Sequence, residues 1–508
     1  MGGQPQPPAH AALDALVRAL LVGLLLAAGA LMCLRHAGDC VADADLGWHL
    51  QTGSWILQHH AVSHVDPFSR VVGGRPWQAY SWLFDLLLLQ AWTRFGLQGV
   101  VLLTAGLMML ITAAVYRLIS HLQSDFTVRI LLTLAAVFCI SKMSMPRPWL
   151  FTVLLFVLEL DVLMRTRETG RSRSLLWLPP IFALWANVHI QFIDGLLVLG
   201  IAACEPLLAR WTKWGDDPAT ARPLWLALGA CVAAPLLNPY GIGIYRDAWI
   251  MASQPGVLNT VSEMHALAFR SAGDYLLLFL ALAATALLFR LSRPAPFETL
   301  LLAMSVVLSF RSQRDAWILA IVAVALIAAR WRASAGEPAK MPAWALPVTL
   351  AATAAVSVAG FFALHVNNTR MLALEAKAMP VQAVQVVKQR HYPGPLFNDY
   401  NWGGYLIWQL GLPVTIDGRA GLYGDSSIDR SVATWGGGPH WATNPQLQSA
   451  ALVIAPVGDA LTQLLRLDSR FELVYEDKVA AVFVRCPLPQ RHAVQSRLDG
   501  RPPSESSH

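Results

Sequence analysis

The chain has 508 residues, of which 55% are hydrophobic and 14% are charged. That composition excludes an ordinary soluble protein and is typical of a protein that crosses a membrane many times. The formal net charge is +6, and the basic residues concentrate in short connections between apolar runs. This distribution indicates membrane topology rather than nucleic-acid binding.

The apolar runs predict about eleven transmembrane helices, since a span takes about 20 residues. The first run is too long for the core of a signal peptide, so we expect it to be retained. We predict a disordered N-terminus at 1–11 and a mainly α-helical membrane bundle over 12–364. The predicted spans are 12–34, 97–118, 127–142, 149–165, 175–189, 191–209, 222–237, 275–290, 297–311, 313–330 and 342–364.

One further apolar run, at 81–95, could either cross the membrane or lie along its surface. The distribution of arginines in the later connections decides between the two. Arginines cluster in the connection at 165–173 and recur after the later spans, and such connections usually stay in the cytoplasm. They share a side with Arg18 only if 81–95 does not cross the membrane. We therefore predict a juxtamembrane helix on the outer face, with Asp85 interrupting its apolar surface.

The character of the chain changes after residue 364. Residues 365–486 mix strand-like and helix-like runs with frequent Gly and Pro, which predicts a small α/β domain outside the membrane. Residues 487–508 are polar and rich in Pro and Ser, so we predict a disordered tail. The predicted strands are 395–398, 414–416, 451–454, 471–475 and 480–484, and the predicted helices are 381–389, 405–410 and 459–465.

Acidic residues mark the first outer loop, 40–96. Asp43 and Asp45 follow the first span, and His49 lies one helical turn after Asp45, on the same predicted helix face. Carboxylates at a membrane boundary can accept a proton from a hydroxyl or hold a divalent cation such as Mg²⁺ or Mn²⁺. An N-cap is the alternative for Asp43. Asp66 either forms a further wall of the same cavity or closes an Asp-Pro turn.

Basic residues occur in two other outer connections. Arg147 lies between two prolines, and Arg311 and Arg314 lie in a polar run between two spans. A guanidinium binds phosphate bidentately, so these residues are candidates for phosphate binding. A headgroup anchor is the alternative for Arg147. A hairpin turn with charge compensation by Asp315 is the alternative for the other two.

Two more residues are outer-face candidates for substrate binding. His189 belongs to a polar patch, 187–194, at the junction of two spans, where ionisable groups are functional candidates. Glu263 lies in the long 238–274 loop, which could cover the cavity. A hydrogen-bonded structural histidine and a solvated loop are the alternatives.

Several motifs resemble those of a bacterial branch of the GT-C class of integral-membrane glycosyltransferases. In the first outer loop they are Asp43-Ala-Asp45-Leu-Gly-Trp-His49, Asp66-Pro-Phe-Ser69 and Gly74-Arg75-Pro76-Trp77. Further landmarks are Pro146-Arg147-Pro148, Leu184-Trp-Ala-Asn187-Val-His189, Asn238-Pro-Tyr240-Gly241, Phe397-Asn398-Asp399-Tyr-Asn-Trp402-Gly403-Gly404-Tyr405 and Ile416-Asp417-Gly418-Arg419. Relatives in this class include protein O-mannosyltransferases, aminoarabinose transferases and oligosaccharyltransferases.

The resemblance implies a GT-C fold, a sugar donor linked to polyprenyl phosphate, and an acidic base in the first outer loop. Related enzymes commonly have Asp-Glu in that loop. This chain has Asp-x-Asp, so the choice between Asp43 and Asp45 as the base, and the need for a metal, stay open. The residues expected to bind the leaving phosphate or other parts of the substrates are Arg75, Arg147, His189, Glu263, Arg311 and Arg314, with Asp399, Trp402 and Arg419 of the outer domain as acceptor-binding candidates.

We therefore expect a hexosyl- or pentosyltransferase of the cell envelope, located in the bacterial inner membrane with its C-terminal domain outside the cytoplasm. Its acceptor would be a glycan, a lipid or a protein. A transporter or flippase of lipid-linked saccharide is the alternative, and it predicts inverted repeats, which the sequence does not show. A non-catalytic assembly or sensor protein would leave the acidic and basic clusters without a role.

Overall fold

A computed structural model describes residues 8–212, 221–253, 262–290, 294–331 and 341–486 of the chain. The predicted disordered tail, 487–508, lies outside the described residues, as does most of the predicted disordered N-terminus. The first helix already begins at Pro8, before the predicted start of the first span.

Each of the predicted spans coincides with a helix, so the prediction of a mainly α-helical bundle is confirmed. The predicted spans correspond to α1, α5 to α10 and α12 to α15. In chain order the helices are α1 (Pro8–Arg35), α2 (Ala37–Val41), α3 (Leu46–His59), α4 (Trp82–Phe95), α5 (Leu97–Leu122), α6 (Phe126–Ile140), α7 (Trp149–Thr169), α8 (Leu178–Val188), α9 (Phe192–Thr212), α10 (Ala221–Ala233), α11 (Gly243–Ala252), α12 (Ala272–Phe289), α13 (Pro296–Arg311), α14 (Ala316–Arg330) and α15 (Ala345–Ala363).

Six helices in the described ranges are long and apolar enough to cross a membrane by length and composition: α1, α5, α6, α9, α12 and α15. The other predicted spans form helices that are shorter or more polar. The clearest case is α14, where every residue from Trp317 to Ala328 is buried by other helices. A helix that is apolar on all sides and surrounded by protein does not need the full length of a lipid-facing span.

The connections between helices sort to two ends of the bundle. The first outer loop, the turn before α7, the α8–α9 corner and the α13–α14 turn meet at one end, which we call the cavity end. The arginine-rich connection after α7 lies at the opposite end, where Arg18 packs over the ring of Phe126 at 5.2 Å. The structure therefore confirms that Arg18 and this connection share an end, and the assignment of that end to the cytoplasm stays a prediction.

The run at 81–95 forms α4, which packs against α3 and α5 and is not one of the candidate spans. The prediction of a separate short helix is therefore confirmed. Asp85 does interrupt the apolar surface of this helix, as predicted, but on the face that α4 buries, where it lies with Phe84, Leu88 and Leu89 and is fully buried. Its carboxylate accepts hydrogen bonds from Ser81, four residues earlier in the chain, and from His49, which is 36 residues away in the sequence.

The C-terminal part is an α/β domain, as predicted, with a mixed four-stranded sheet in the order β1-β2-β4-β3. Strand β1 pairs with β2 in parallel, and the other two pairs are antiparallel. The strands are β1 (Leu396–Asn398), β2 (Leu452–Pro456), β3 (Phe471–Glu476) and β4 (Ala480–Arg485). The helices are α16 (Asn368–Glu375), α17 (Val381–Arg390), α18 (Gly403–Leu410), α19 (Ala420–Tyr423), α20 (Asp425–Trp435), α21 (Pro445–Gln448) and α22 (Ala460–Leu467).

The strand predicted at 414–416 is wrong. Val414 instead makes a single parallel bridge with Ser69 of the first outer loop. Its N–H donates to the carbonyl of Phe68 at 3.0 Å, and its carbonyl accepts from the N–H of Arg70 at 2.8 Å. The apolar pattern at this site predicts an extended segment, but it does not say which segment of the chain will pair with it. The pairing found here connects the outer domain to the first outer loop.

Candidate active site

A cavity of about 490 Å³ lies at the cavity end, between the helices and the outer domain. The first outer loop, the turn before α7, the α8–α9 corner, α11, the α13–α14 turn and the segment 418–422 all contribute to its walls. The candidate residues that line it are Asp45, His49, Arg147, His189, Glu263, Arg311 and Arg314. Residues that are far apart in the sequence therefore meet around one space.

Arg147 is the centre of the acidic side of this cavity. Its Nε donates to Asp43 Oδ2 at 2.8 Å, and its Nη1 lies 3.0 Å from Asp45 Oδ2 and 2.9 Å from Glu263 Oε1. The guanidinium also lies over the ring of Trp149, at 4.9 Å from the ring centre. One arginine thus offsets the charge of three carboxylates, so its own charge is largely taken up before any phosphate arrives.

Asp43 and Asp45 differ in what they can reach. The side chain of Asp43 is fully buried, and its oxygens accept from the Asp45 N–H and from Arg147. Asp43 is not the N-cap of α3; Asp45 takes that position, without a capping hydrogen bond from its side chain. The Asp45 side chain is 14% exposed and lines the cavity. Of the two carboxylates, Asp45 is the one placed to contact a substrate.

The outer domain approaches Asp45 closely at Gly418. A Cβ atom at this position would overlap Oδ1 of Asp45, so a larger residue would displace the Asp45 carboxylate. Gly418 belongs to the Ile416-Asp417-Gly418-Arg419 motif, and its small size explains why this position needs glycine. The cavity wall beside Asp45 is therefore completed by the backbone of the outer domain.

The two carboxylates also differ in the direction in which their surroundings shift the pKa. Burial raises the pKa of the Asp43 carboxyl above its usual value, although Arg147 acts in the opposite direction. Burial also opposes the charge on Asp45, but Arg147 and His49 outweigh that effect and lower its pKa. Asp45 is therefore ionised at neutral pH and is a weaker base than an ordinary aspartate.

His49 is paired differently from what its spacing predicts. We expected Asp45 as its partner, but Nδ1 of His49 lies 2.6 Å from Oδ1 of Asp85 on α4. The imidazole stacks on the indole of Trp48, with ring centres 3.6 Å apart, and Phe84 packs edge-on against it. The ring is therefore fixed on three sides while it lines the cavity.

A second imidazole, that of His189, lines the cavity through a different arrangement. Trp185 Nε1 donates to Thr152 Oγ1 at 2.8 Å, and the same hydroxyl lies 2.8 Å from His189 Nδ1. An indole N–H can only donate, so the threonine proton is free to be donated to His189. This favours the tautomer of His189 that carries its hydrogen on Nε2.

The basic side of the cavity contains Arg311 and Arg314. Arg314 also lies over the ring of Trp149 at 4.9 Å, and its Nη1 is 3.9 Å from Glu263 Oε1. Within the part of the chain that the structure describes, nothing accepts a hydrogen bond from its buried Nε. Asp315 accepts from Gln191 Nε2 at 3.2 Å. The charge of Arg314 is thus less fully engaged than that of Arg147.

Asp66 and Arg75 do not line the cavity. Asp66 accepts from the N–H groups of Phe68 and Ser69 and from Arg419 Nη1 at 2.7 Å. It closes a turn, which was the alternative interpretation, and it joins the first outer loop to the outer domain. The expectation that Asp66 forms a wall of the cavity is therefore wrong. Arg75 is exposed on the surface of the loop.

Of the three candidates in the outer domain, one lines the cavity and two do not. Arg419 forms a bidentate pair with Asp417, at 2.8 and 2.7 Å, and reaches the cavity wall. Asp399 accepts from the Asn401 N–H, and Trp402 Nε1 donates to a backbone carbonyl in the same domain. Only Arg419 among the three lines the cavity, so the acceptor role of the other two stays a prediction.

The acidic pair does not fit a cation site in this arrangement. No group of three or more His, Cys, Asp or Glu side chains in the described ranges is placed to hold a metal. Both oxygens of Asp43 already accept hydrogen bonds, and Arg147 puts positive charge where a cation would bind. Dependence on a divalent cation stays a prediction, and no step proposed below uses one.

Sequence reasoning gave no role to several residues of the site. Asp85 was noticed only as a break in an apolar run, and its position opposite His49 has no local signal. Trp149 lies two residues after Arg147, and an aromatic residue beside an arginine could have suggested stacking. Other lining residues without an assigned role are Tyr80, Gln191, Asp194, Arg246, Asp247, Asp315 and Tyr400.

No protein-family model matches the chain, and no curated protein matches it. Among solved structures, the chain is similar to the crystal structure of ArnT from Cupriavidus metallidurans bound to undecaprenyl phosphate. The sequence identity is 13%, the TM-score is 0.48, and the match covers 92% of this chain and 99% of that chain.

Proposed function

We propose that the protein is a membrane glycosyltransferase of the GT-C type. It moves a sugar from a polyprenyl phosphate to an acceptor hydroxyl at the cavity end of the bundle. The supporting observation is the cavity itself, which brings together carboxylates, imidazoles and guanidiniums at one site, and six of these groups carry the proposal. These groups are Asp45, His49, His189, Arg147, Arg311 and Arg314.

The reaction needs a base for the hydroxyl proton and positive charge near the leaving phosphate, and the cavity wall contains both kinds of group. The acceptor oxygen attacks the anomeric carbon while the bond from that carbon to the phosphate oxygen breaks. The hydroxyl proton passes to a base, and the leaving polyprenyl phosphate gains negative charge. Charged groups that are already in position before the reaction stabilise its transition state, because they do not have to reorganise during the reaction. Asp45 and His49 lie on the side of the base, and Arg311 and Arg314 lie on the side of the phosphate.

Arg314 and Arg311 suit the leaving phosphate better than Arg147 does. Arg147 contacts three carboxylates at 2.8 to 3.0 Å, whereas the nearest ion-pair distance of Arg314 is 3.9 Å. A guanidinium with unused donors can bind a phosphate without first losing strong partners. We therefore assign Arg147 to holding the acidic side in shape, and Arg311 and Arg314 to the phosphate.

The apolar part of the cavity wall suits the polyprenyl chain. Ile193, Ile250, Met251 and Leu308 line the same space as Arg311. Ile193 and Ile250 are 37% and 36% exposed, which gives an isoprenoid chain apolar surface to cover. A phosphate site beside an apolar wall matches a lipid phosphate, in which a charged group continues into a hydrocarbon tail.

We further propose that the cavity end faces outward from a bacterial inner membrane and that the outer domain helps to bind the acceptor. Among the outer-domain residues, Arg419 and the segment 418–422 reach the cavity. A donor carried by a lipid brings the sugar to this side of the membrane in activated form. The acceptor class, whether glycan, lipid or protein, is open in this proposal.

The test is sugar transfer by the purified protein in lipid nanodiscs. Undecaprenyl phosphates that carry radiolabelled hexoses or pentoses serve as donors, and membranes from cells that lack the protein supply acceptors. We expect label to move to an acceptor with release of an equal amount of undecaprenyl phosphate. Asp45→Asn and Arg314→Ala should each lower the rate at least about tenfold.

The matched control is Arg466→Ala, which removes an exposed ion pair with Glu476 on the outer domain and should leave the rate unchanged. The proposal is overturned if every donor stays intact with wild-type protein. Passage of intact labelled lipid across liposomes, without transfer, would identify a flippase instead.

A further inference from the structure

One buried pair at the cavity, His49 with Asp85, has the geometry of a proton acceptor held by a carboxylate. We propose that His49 takes the proton of the acceptor hydroxyl and that Asp85 is the positioning residue that orients its ring. This inference rests on the proposed glycosyl transfer and identifies the base for that reaction. It assigns a role to Asp85, which the sequence patterns left without one.

The partner of Nδ1 determines which ring nitrogen can act. Burial raises the pKa of Asp85, while His49 and Ser81 act to lower it. When Asp85 is ionised it only accepts hydrogen bonds, and its 2.6 Å contact with His49 Nδ1 then places the hydrogen on Nδ1. In the neutral imidazole, Nε2 then keeps its lone pair. Asp85 is itself fixed, since Ser81 Oγ donates to the same oxygen at 3.2 Å.

Burial and packing keep this pair in one geometry. The side chains of His49 and Asp85 are 2% and 0% exposed, and the imidazole stacks on Trp48 while Phe84 packs edge-on against it. Even so, His49 lines the cavity. A side chain held by a second residue and open to a substrate space is the arrangement that general-base catalysis needs.

Asp45 is the competing base, and its contacts make it the weaker one. Its Oδ2 lies 3.0 Å from Arg147 Nη1, and Arg147 contributes to the lowering of its pKa. A base works best when its conjugate acid has a pKa near the working pH, and an ordinary imidazole is close to that while a carboxylate in an ion pair is not. Asp45 is better suited to balance Arg147 and to orient the acceptor hydroxyl.

The two imidazoles of the cavity have opposite hydrogen-bonding character. The chain from Trp185 through Thr152 favours the tautomer of His189 with its hydrogen on Nε2, from which it can donate. The pair with Asp85 leaves Nε2 of His49 without a hydrogen, so that nitrogen accepts. One site thus contains a proton acceptor for the attacking hydroxyl and a separate donor for an oxygen of the donor substrate.

The proposed step balances. The acceptor oxygen forms a bond to the anomeric carbon, and the bond from that carbon to the phosphate oxygen breaks with its electron pair leaving on the phosphate. The hydroxyl proton moves to Nε2 of His49, which becomes imidazolium beside the Asp85 carboxylate. The imidazolium then gives its proton to water or to the released phosphate monoester, and the base is restored.

The ionisable groups around His49 determine how its protonation will respond to pH. Asp85 contributes from α4, and Asp45 from the start of the same helix. His189 interacts with it electrostatically. Tyr405 is the ionisable residue of α18, which packs beside α3. Asp85 is the nearer of the two carboxylates, with its Oδ1 at 2.6 Å from Nδ1 of His49.

The chain contains its own control for this pair. At the opposite end of the bundle, His121 Nδ1 lies 2.6 Å from Asp161 Oδ1, the same distance as in the pair at the cavity. His121 is 32% exposed and does not line the cavity. Variants of His121 therefore remove a matched hydrogen bond without touching the proposed site.

The experiment measures transfer from an undecaprenyl phosphate hexose between pH 5 and pH 9 for wild type, His49→Gln, Asp85→Asn and His121→Gln. We expect the wild-type rate to rise with pH to a plateau. His49→Gln should remove that rise and lower kcat about 100-fold or more, with little change in the KM for the donor. Asp85→Asn should lower kcat and shift the midpoint to lower pH by about one unit, because the imidazolium loses a neighbouring carboxylate.

His121→Gln should reproduce the wild-type profile. Binding of undecaprenyl phosphate without sugar, measured on every variant, shows that the site is still folded. If His49→Gln keeps the wild-type rate and pH rise, the inference is wrong although the proposed function stands. If wild type transfers no sugar, the proposed function fails first. If Asp85→Asn fails to bind the lipid phosphate, the His49→Gln profile decides the question.

Discussion

At the cavity end, Arg147 is shared by three carboxylates, and at the opposite end Asp161 is shared by two arginines and a histidine. The partners of Asp161 are Arg117 at 3.2 Å, His121 at 2.6 Å and Arg165 at 3.1 Å. Both networks join helices or loops that are distant in the sequence. Charge clustering and hydrogen-bond length therefore do not distinguish the two ends.

Exposure and the presence of a cavity do distinguish them. The carboxylate partners of Arg147 are 0%, 14% and 28% exposed, and Arg147 lines a space large enough for part of a substrate. The partners of Asp161 are 56%, 32% and 36% exposed, and solvent screens their charges. The comparison shows that the same types of side chain can join α5 to α7 at one end of the bundle and surround a candidate reaction site at the other end.

The largest difference is expected when the centre of each network is removed. Arg147→Met leaves three neighbouring carboxylates without their cation, and the free energy of unfolding should fall by about 3–5 kcal/mol. Asp161→Asn leaves partly solvated cations and should cost about 1 kcal/mol or less. Denaturant unfolding of both variants in detergent measures this. Equal losses at the two ends would contradict the distinction drawn from exposure.

A smaller effect is expected for lipid phosphate binding. Arg314→Ala removes donors from the basic side of the cavity, and the Kd for undecaprenyl phosphate should rise roughly 10-fold to 100-fold. Arg165→Ala, at the opposite end, should leave this Kd unchanged. Scintillation proximity with labelled lipid gives both values. An equal rise in the two variants would mean that overall positive charge, rather than the cavity, binds the phosphate.

The smallest effect concerns an acid buried behind the first outer loop. Burial raises the pKa of Glu375, on α16, to about 7. A folded-state pKa above the ordinary value means that the protonated acid stabilises the fold at low pH and that this contribution is lost as pH rises through about 7. Glu375→Gln should therefore raise the unfolding temperature by about 2 °C at pH 8 and leave it unchanged at pH 5.

The control for this effect is Glu472→Gln, which changes an exposed glutamate of β3. Thermal unfolding at both pH values should show no difference between this variant and wild type. A stabilisation of Glu375→Gln that is the same at pH 5 and pH 8 would rule out titration of the buried carboxyl as its cause.

Much of the cavity's composition could be predicted from the sequence. Asp45 and His49 were candidates because they follow the first span in the first outer loop, and Arg147 and Arg314 because they are basic residues in short connections between apolar runs. All of them line the cavity. Asp66 and Arg75 came from the same reasoning and lie elsewhere, because location on the outer face does not determine distance from one point on it.

The partners of these residues could not be predicted. Asp85 lies 36 residues from His49, and Arg147 lies 104 residues from Asp43 and 116 from Glu263. Helical spacing favoured Asp45 as the partner of His49, but α4 packs on α3 and brings a second carboxylate closer. A local pattern shows which residues share one face of a helix, but it does not show which other segment of the chain will pack against that face.

The sequence by itself determined the positions of the helices, the change to an α/β domain near residue 364, and the clustering of arginines in the connection at 165–173. These features follow from local properties, since about 20 apolar residues in lipid must satisfy their backbone hydrogen bonds as a helix. Only the tertiary structure decided that Asp43 is sealed behind Arg147, that Asp85 holds His49, and that Gly418 of the outer domain abuts Asp45. These contacts arise from the packing of distant segments, so no short stretch of the chain specifies them.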